Sequence, residues 1–138
     1  MAGIENVFDV SARALSAQMV RMNTTASNLA NANTVAGSKE EAFLPLRPVF
    51  ETEYGDALGN GPFATVNVDR IVSLDREPEH VYQPDHPAAD ADGFVWRSPV
   101  SVEEEMVEML EASRQYQNTL EALSTLRSLM ARTISMGS

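Results

Sequence analysis

The stretch SVEEEMVEMLEASRQYQNTLEALSTLRSLMARTISM, residues 101–136, decides the fold. Val102, Met106, Met109, Ser113, Tyr116, Leu120, Leu123, Arg127, Met130 and Ile134 follow one another at alternating steps of four and three. This spacing is a heptad seam, the pattern of a helix that packs against another along its whole length. At about 1.5 Å per residue such a helix is ~50 Å long. A chain of 138 residues has little use for it unless something of similar length lies alongside. Ser101 reads as the N-cap, and Glu104 stands three residues on, the spacing of a capping box. Glu103, Glu104, Glu105, Glu108 and Glu111 crowd the first turns while Arg127 and Arg132 lie near the end, the polarity that suits the helix dipole.

The partner within the chain is residues 1–31, which contain no proline and only Gly3. Phe8, Ala12, Leu15, Met19, Met22, Ala26 and Leu29 repeat the four-three spacing, with Ile4 near the same stripe. A seam this rich in Met and Ala permits close approach but buries little apolar area, so it predicts modest stability. The helix runs into Ser27-Asn28-Leu29-Ala30-Asn31-Ala32-Asn33-Thr34. Asparagine side chains compete with helical hydrogen bonding, which places the helix end between Asn28 and Asn33, with an asparagine tolerating the left-handed conformation of a C-cap.

Between the helices the sequence changes character. Residues 42–99 hold all seven prolines together with Gly55, Gly59, Gly61 and Gly93. Residues 49–54 and 65–75 read as strands, and in the second Val66, Val68, Val72 and Leu74 are expected to share one face. Gly59-Asn60-Gly61-Pro62 between them reads as a hairpin loop. Residues 80–83 and 94–96 are shorter strand candidates. The expected fold is therefore mainly α with a β-rich insertion. Long N- and C-terminal helices (within 1–34 and 100–138) pair as an antiparallel coiled-coil-like hairpin, and a small β-hairpin domain (within 35–99) lies between them.

The net charge of −10 argues against nucleic acid or an anionic membrane as partner. The excess acid lies in the middle. Glu5, Asp9, Arg13 and Arg21 cancel within residues 1–34, and residues 113–138 carry three arginines against Glu121. Near-neutral ends are suited to being packed together in number. The absence of cysteine leaves no disulfide frame or thiolate site. No apolar run reaches membrane-span length, and no secretory signal is expected at the N-terminus. His80, His86, Asp85, Asp90 and Asp92 form the only cluster of potential metal ligands, but their spacing fits neither an EF-hand loop nor a zinc motif, and Asp-Gly and Asp-His-Pro are ordinary turn chemistry. Neither a nucleophilic triad nor a phosphate-binding glycine loop is present, so no enzymatic activity, cofactor or metal is expected. Tyr116 reads as a seam aromatic, and Trp96 as a core residue of the insertion.

The segment 27–34 resembles the N-terminal motif of bacterial flagellar rod, hook and related axial proteins, carried here by Asn28, Ala30, Asn31, Asn33 and Thr34. Glu105-Met106-Val107-Glu108-Met109, Ala112-Ser113-Arg114-Gln115-Tyr116-Gln117 and Leu129-Met130-Ala131-Arg132-Thr133 are similar to the C-terminal pattern of the proximal rod members. Val49-Phe50, Tyr82-Gln83-Pro84, Pro87-Ala88-Ala89-Asp90 and Gly93-Phe94-Val95 extend the resemblance through the middle. Where that family reads Pro-Asn-Val before the long helix, this chain has Ser98-Pro99-Val100. The resemblance implies a structural subunit of the basal-body proximal rod, the periplasm-crossing drive shaft. It implies synthesis in the cytoplasm and passage through the flagellar type III export apparatus without a cleaved signal. Its implied partners are other copies, proximal and distal rod subunits, and the adaptor between rod and export gate. The terminal helices would form the tube, with assembly seams at Phe8, Leu15, Met19, Met22 and Leu29 and at Met106, Met109, Ser113, Tyr116, Leu120, Leu123 and Met130. The alternative from the residues alone is a soluble helical-hairpin adaptor.

Overall fold

Among the described residues, two helices of unequal length bracket five strands. The computed structural model describes residues 2–54 and 64–137, and the side chains of the first helix from Val7 onward. The order is α1 (Ala2–Ala30), β1 (Val35–Ala36), β2 (Leu46–Tyr54), β3 (Ala64–Ser73), β4 (Glu79–Tyr82), β5 (Phe94–Arg97) and α2 (Val102–Met136). The helices run antiparallel. Asn28 near the end of α1 reaches Glu105 at the start of α2, while Arg21, two turns earlier, reaches Glu108 and Gln115. Two long terminal helices packed together, with small sheets between them, is the architecture expected from the two heptad stripes.

The helix ends follow side-chain chemistry. The Ser101 hydroxyl accepts from the Glu104 amide at 3.3 Å, one half of the expected capping box. The Glu104 carboxylate instead pairs with Arg76. At the end of α1 no left-handed residue is used, because the only positive φ among the described residues is at Gly93. The expected left-handed cap is thus replaced by successive tight turns. Asn31 N–H bonds back to the Ser27 and Asn28 carbonyls, and Thr34 N–H bonds to Asn31. The Asn31 side chain donates to Ser27 O at 2.9 Å, and the Thr34 hydroxyl donates to Asn31 O at 2.8 Å. These bonds satisfy carbonyls that a helix end leaves open.

The turn delivers the chain into β1, a two-residue strand too short to announce itself in the sequence. It pairs with β5, Val35 with Arg97 and Ala36 with Trp96, in a sheet of order β1-β5-β4. Ser98 N–H adds a bond to Thr34 O at 3.0 Å. A proline at position 98 has no N–H to make it. The segment leaving α1 is thereby zipped to the segment entering α2, so the end of α1 and the start of α2 are tied to one small sheet. Val95 at its centre is fully buried.

The second sheet is the β2–β3 hairpin, paired from Leu46–Ser73 to Tyr54–Ala64. The loop read as Gly59-Asn60-Gly61-Pro62 lies outside the described residues. Val49 pairs with Arg70 and Phe50 with Val68, so Asp69 is an extra residue, a β-bulge. An inserted residue reverses the inward-outward alternation beyond it. The expectation that Val66, Val68, Val72 and Leu74 share one face is therefore corrected. Val66 and Val68 sit with Phe50 and Thr52 on the outer face, whereas Val72 lies opposite Arg47 on the inner one. The inner face rests on α1, where Thr65 is buried and Arg13 donates to Glu53 and Asn67.

Candidate assembly interface

A buried polar network lies where α1, β2 and α2 meet. Asn28 is completely buried. Its side-chain carbonyl accepts from Leu46 N–H at 2.8 Å, and its amide donates to Leu46 O at 2.9 Å and to Glu105 Oε2 at 3.0 Å. One side chain thus pairs both backbone groups of Leu46 as a neighbouring strand would. Glu105 is also fully buried, on α2. Arg47 meets its carboxylate with two nitrogens, at 2.6 and 3.0 Å, and also donates to Leu46 O at 3.0 Å. The fork geometry satisfies both carboxylate oxygens, the condition under which a buried ion pair is tolerated. Arg47 extends the set to Glu104 at 3.6 Å, and Arg76 holds that same carboxylate at 2.7 and 2.8 Å. The Arg76 guanidinium, by hydrogen bond, holds the Glu104 carboxyl below its usual range. This is a positioning network and holds no nucleophile.

Around this polar junction the helix–helix contact is made of small side chains. Ala17, Thr24 and Thr25 on α1 and Ala112 on α2 are buried. Of the 35 residues of α2, Glu105 and Ala112 are the two that are buried. Seam residues Met109, Ser113, Tyr116, Leu123 and Met130 are half-buried, whereas Met106 is 60% and Leu120 44% exposed. On α1, Phe8, Leu15, Met22 and Leu29 are half-buried, and Met19 is exposed. The seams thus lie along the border of the intrachain contact, with part of each turned outward.

Leu29, Met106, Val107, Met109, Leu110 and Ser113 line an open groove of ≈ 560 Å³ with no charged side chain in it. Of the motif residues, Asn28 forms the junction and Asn31 and Thr34 shape the turn, while Ala30 and Asn33 are exposed. Sequence reasoning missed Arg47 and the burial of Glu105. Glu105 stands seven residues before Ala112, on the stripe that faces α1, and that spacing was the available signal. Nothing in sequence links it to Arg47, 58 residues away.

The potential ligand cluster resolves into turn chemistry. The Asp90 carboxylate accepts from Phe94 N–H at 2.8 Å and Asp92 N–H at 3.0 Å. The Phe94 bond is the main cause holding its carboxyl below the usual range. His86 Nδ1 accepts from Ala88 N–H, and His80 stacks on Phe94 and Trp96. Gly93, at φ +83°, is required here, since a Cβ would stand 2.9 Å from the Tyr82 ring. Among the described residues no group of three or more acidic or histidine side chains converges as a metal site, and no helix is long and apolar enough to cross a membrane.

Comparison with known proteins agrees with this arrangement. The family model for flagella basal body rod proteins matches residues 8–37, along α1 and its turn. The model for the C-terminal part of flagellar basal body rod FlgEFG proteins matches residues 91–136, from β5 through α2. Flagellar basal-body rod protein FlgC of Salmonella typhimurium is 37% identical over 132 residues, covering 96% of each chain. FlgC of Yersinia enterocolitica is 39% identical over 132 residues, and FlgC of Aquifex aeolicus 37% over 133, each with 96% of both chains covered. With matches that span both helices and the sheets between them, the chain belongs to the FlgC family of flagellar basal-body rod proteins, structural rod subunits without enzymatic activity.

Proposed function

We propose that this subunit assembles through α1 and α2, side by side with other copies and with other proximal and distal rod subunits, into the shaft that crosses the periplasm and transmits torque. In this reading it is made in the cytoplasm, leaves through the flagellar type III export apparatus without a cleaved signal, and contacts the adaptor between rod and export gate. The observation that carries the reading is a 35-residue helix with two buried residues and an uncharged apolar groove along it. An isolated functional domain does not leave that much apolar helix uncovered, whereas a stave in a tube must. The outward parts of both seams are the surface on which neighbours would pack. The adaptor alternative requires a self-contained coiled coil, and the exposed Met106, Leu110 and Leu120 argue against one.

The test is Leu120→Asp. Leu120 is 44% exposed in the single chain, so the carboxylate is tolerated by the monomer. In cells lacking their own copy, the variant is expected to give an unchanged circular dichroism spectrum as purified protein, no swimming, and no completed rods by electron microscopy. Normal swimming with Leu120→Asp would overturn the assignment of the C-terminal seam.

A further inference from the structure

The start of α2 turns the wrong side inward for a helix held by apolar contact. Its two buried residues, Glu105 and Ala112, stand seven apart and mark the line that faces α1. Successive residues of an α-helix point about 100° apart around the axis. On that scale the large apolar residues of the first turns, Val102, Met106, Val107, Met109 and Leu110, centre on Met106, about 100° away from the buried line. Met106 is 60%, Val107 64% and Leu110 56% exposed, while a carboxylate is fully buried beside them. Hydrophobic burial alone favours the opposite arrangement, with Met106 against α1 and Glu105 in water.

Two sets of polar contacts oppose it. On the buried line, Glu105 accepts from Arg47 at 2.6 and 3.0 Å and from Asn28 at 3.0 Å. Both partners are themselves fixed to the Leu46 backbone. On the edge of α2 away from the groove, Arg21 holds Glu108 at 2.8 Å and Gln115 at 3.3 Å. Apolar packing is non-directional, whereas a two-oxygen fork fixes the angle at which the carboxylate is presented. Turning α2 by one residue step to bury Met106 breaks both sets at once.

We propose that these contacts form a rotational lock on α2. Their role is to choose which side of the helix faces inward, a use of buried ionic groups distinct from adding stability. The lock keeps Met106, Val107 and Leu110 turned out of the chain, so the groove they line with Leu29 stays open to a neighbouring subunit instead of closing on α1. The purpose of the lock rests on the assembly reading above. The lock itself is a property of the single chain.

The native methionines report the rotation. Met106 lies on the face that the lock holds outward, and Met136, 87% exposed near the end of α2, is an internal reference. The test is peroxide oxidation of the purified chain, followed residue by residue by mass spectrometry. Glu105→Ala with Arg21→Ala opens the lock without stranding a buried charge, because Arg47 keeps Glu104 at 3.6 Å and Glu108 is part-exposed. With the lock open, apolar burial decides the rotation. The variant is expected to keep its helical circular dichroism spectrum while Met106 oxidises, relative to Met136, about half as fast or slower, since oxidation follows exposure. An unchanged or raised ratio in a helical variant overturns the proposal. Should that variant lose its helices, Glu105→Ala with Arg47→Met is read in the same way. Loss of helix in both would mean that the contacts hold the fold itself instead of choosing a rotation, and overturns the proposal too. Because the measurement is made on the monomer, its failure is distinct from failure of the rod reading, which Leu120→Asp tests.

Discussion

Asn28 was visible in sequence as part of an asparagine-rich helix end, and its partners were not. Helix-end chemistry is local, so Asn31 and Thr34 do what such residues do near their own backbone. Asn28 instead reaches Leu46 and Glu105, 18 and 77 residues away, and only the folded chain brings them together. The same holds for Arg47 and Glu105. A double-mutant cycle separates what the pair contributes from what breaking it costs. Arg47→Met leaves the buried Glu105 carboxylate without its counter-charge, held only by the Asn28 amide, and is expected to destabilise the chain by about 3–5 kcal/mol. Adding Glu105→Leu removes the orphaned charge and should restore most of that loss. Urea unfolding checks both values. Equal destabilisation by the single and double variants would show that Glu105 does not depend on Arg47.

At the scale of elements, both helices were legible because a heptad stripe is long and survives local exceptions. The strands were legible in outline, with 80–83 and 94–96 found close to β4 and β5. Two features were not. β1 has two residues and exists only because β5 offers it an edge. The bulge at Asp69 carries no sequence mark and exchanges the faces of β3, so Val66 and Val72 part company. The turn before β5 makes a pH prediction. The Asp90 carboxyl is held below its ordinary value of 3.8 by the Phe94 N–H. A depressed carboxyl contributes its stability at neutral pH and loses it as pH falls through the depressed value. The Phe94 amide proton, followed by NMR from pH 6 downward, should therefore shift with a midpoint below 3.8, and Asp90→Asn should abolish the step. A midpoint at or above the ordinary value would show that the bond does not favour the charged form.

Over the whole molecule, sequence showed that two seams exist but not which way they face, because a heptad pattern is the same for a partner in the chain and a partner outside it. The structure divides them. The fully buried positions on the helices are small or polar, and the large Met and Leu side chains lie at the border or outside. Little apolar area then holds α2 to α1 in the monomer, and conformational entropy acts against its last turns. Limited proteolysis of the purified monomer is expected to trim both ends before it cuts within β1 to β5. Ends as resistant as the middle would mean that the helix pair is self-sufficient. The central claim is that the uncovered face of α2 belongs to neighbouring subunits, and a reconstruction of the assembled basal body by electron cryomicroscopy tests it most directly. Met106, Val107 and Leu110 are expected to be buried against another subunit, with α1 and α2 lining the inner tube. Those three side chains facing open solvent, or helices lying outside the sheets, would contradict it.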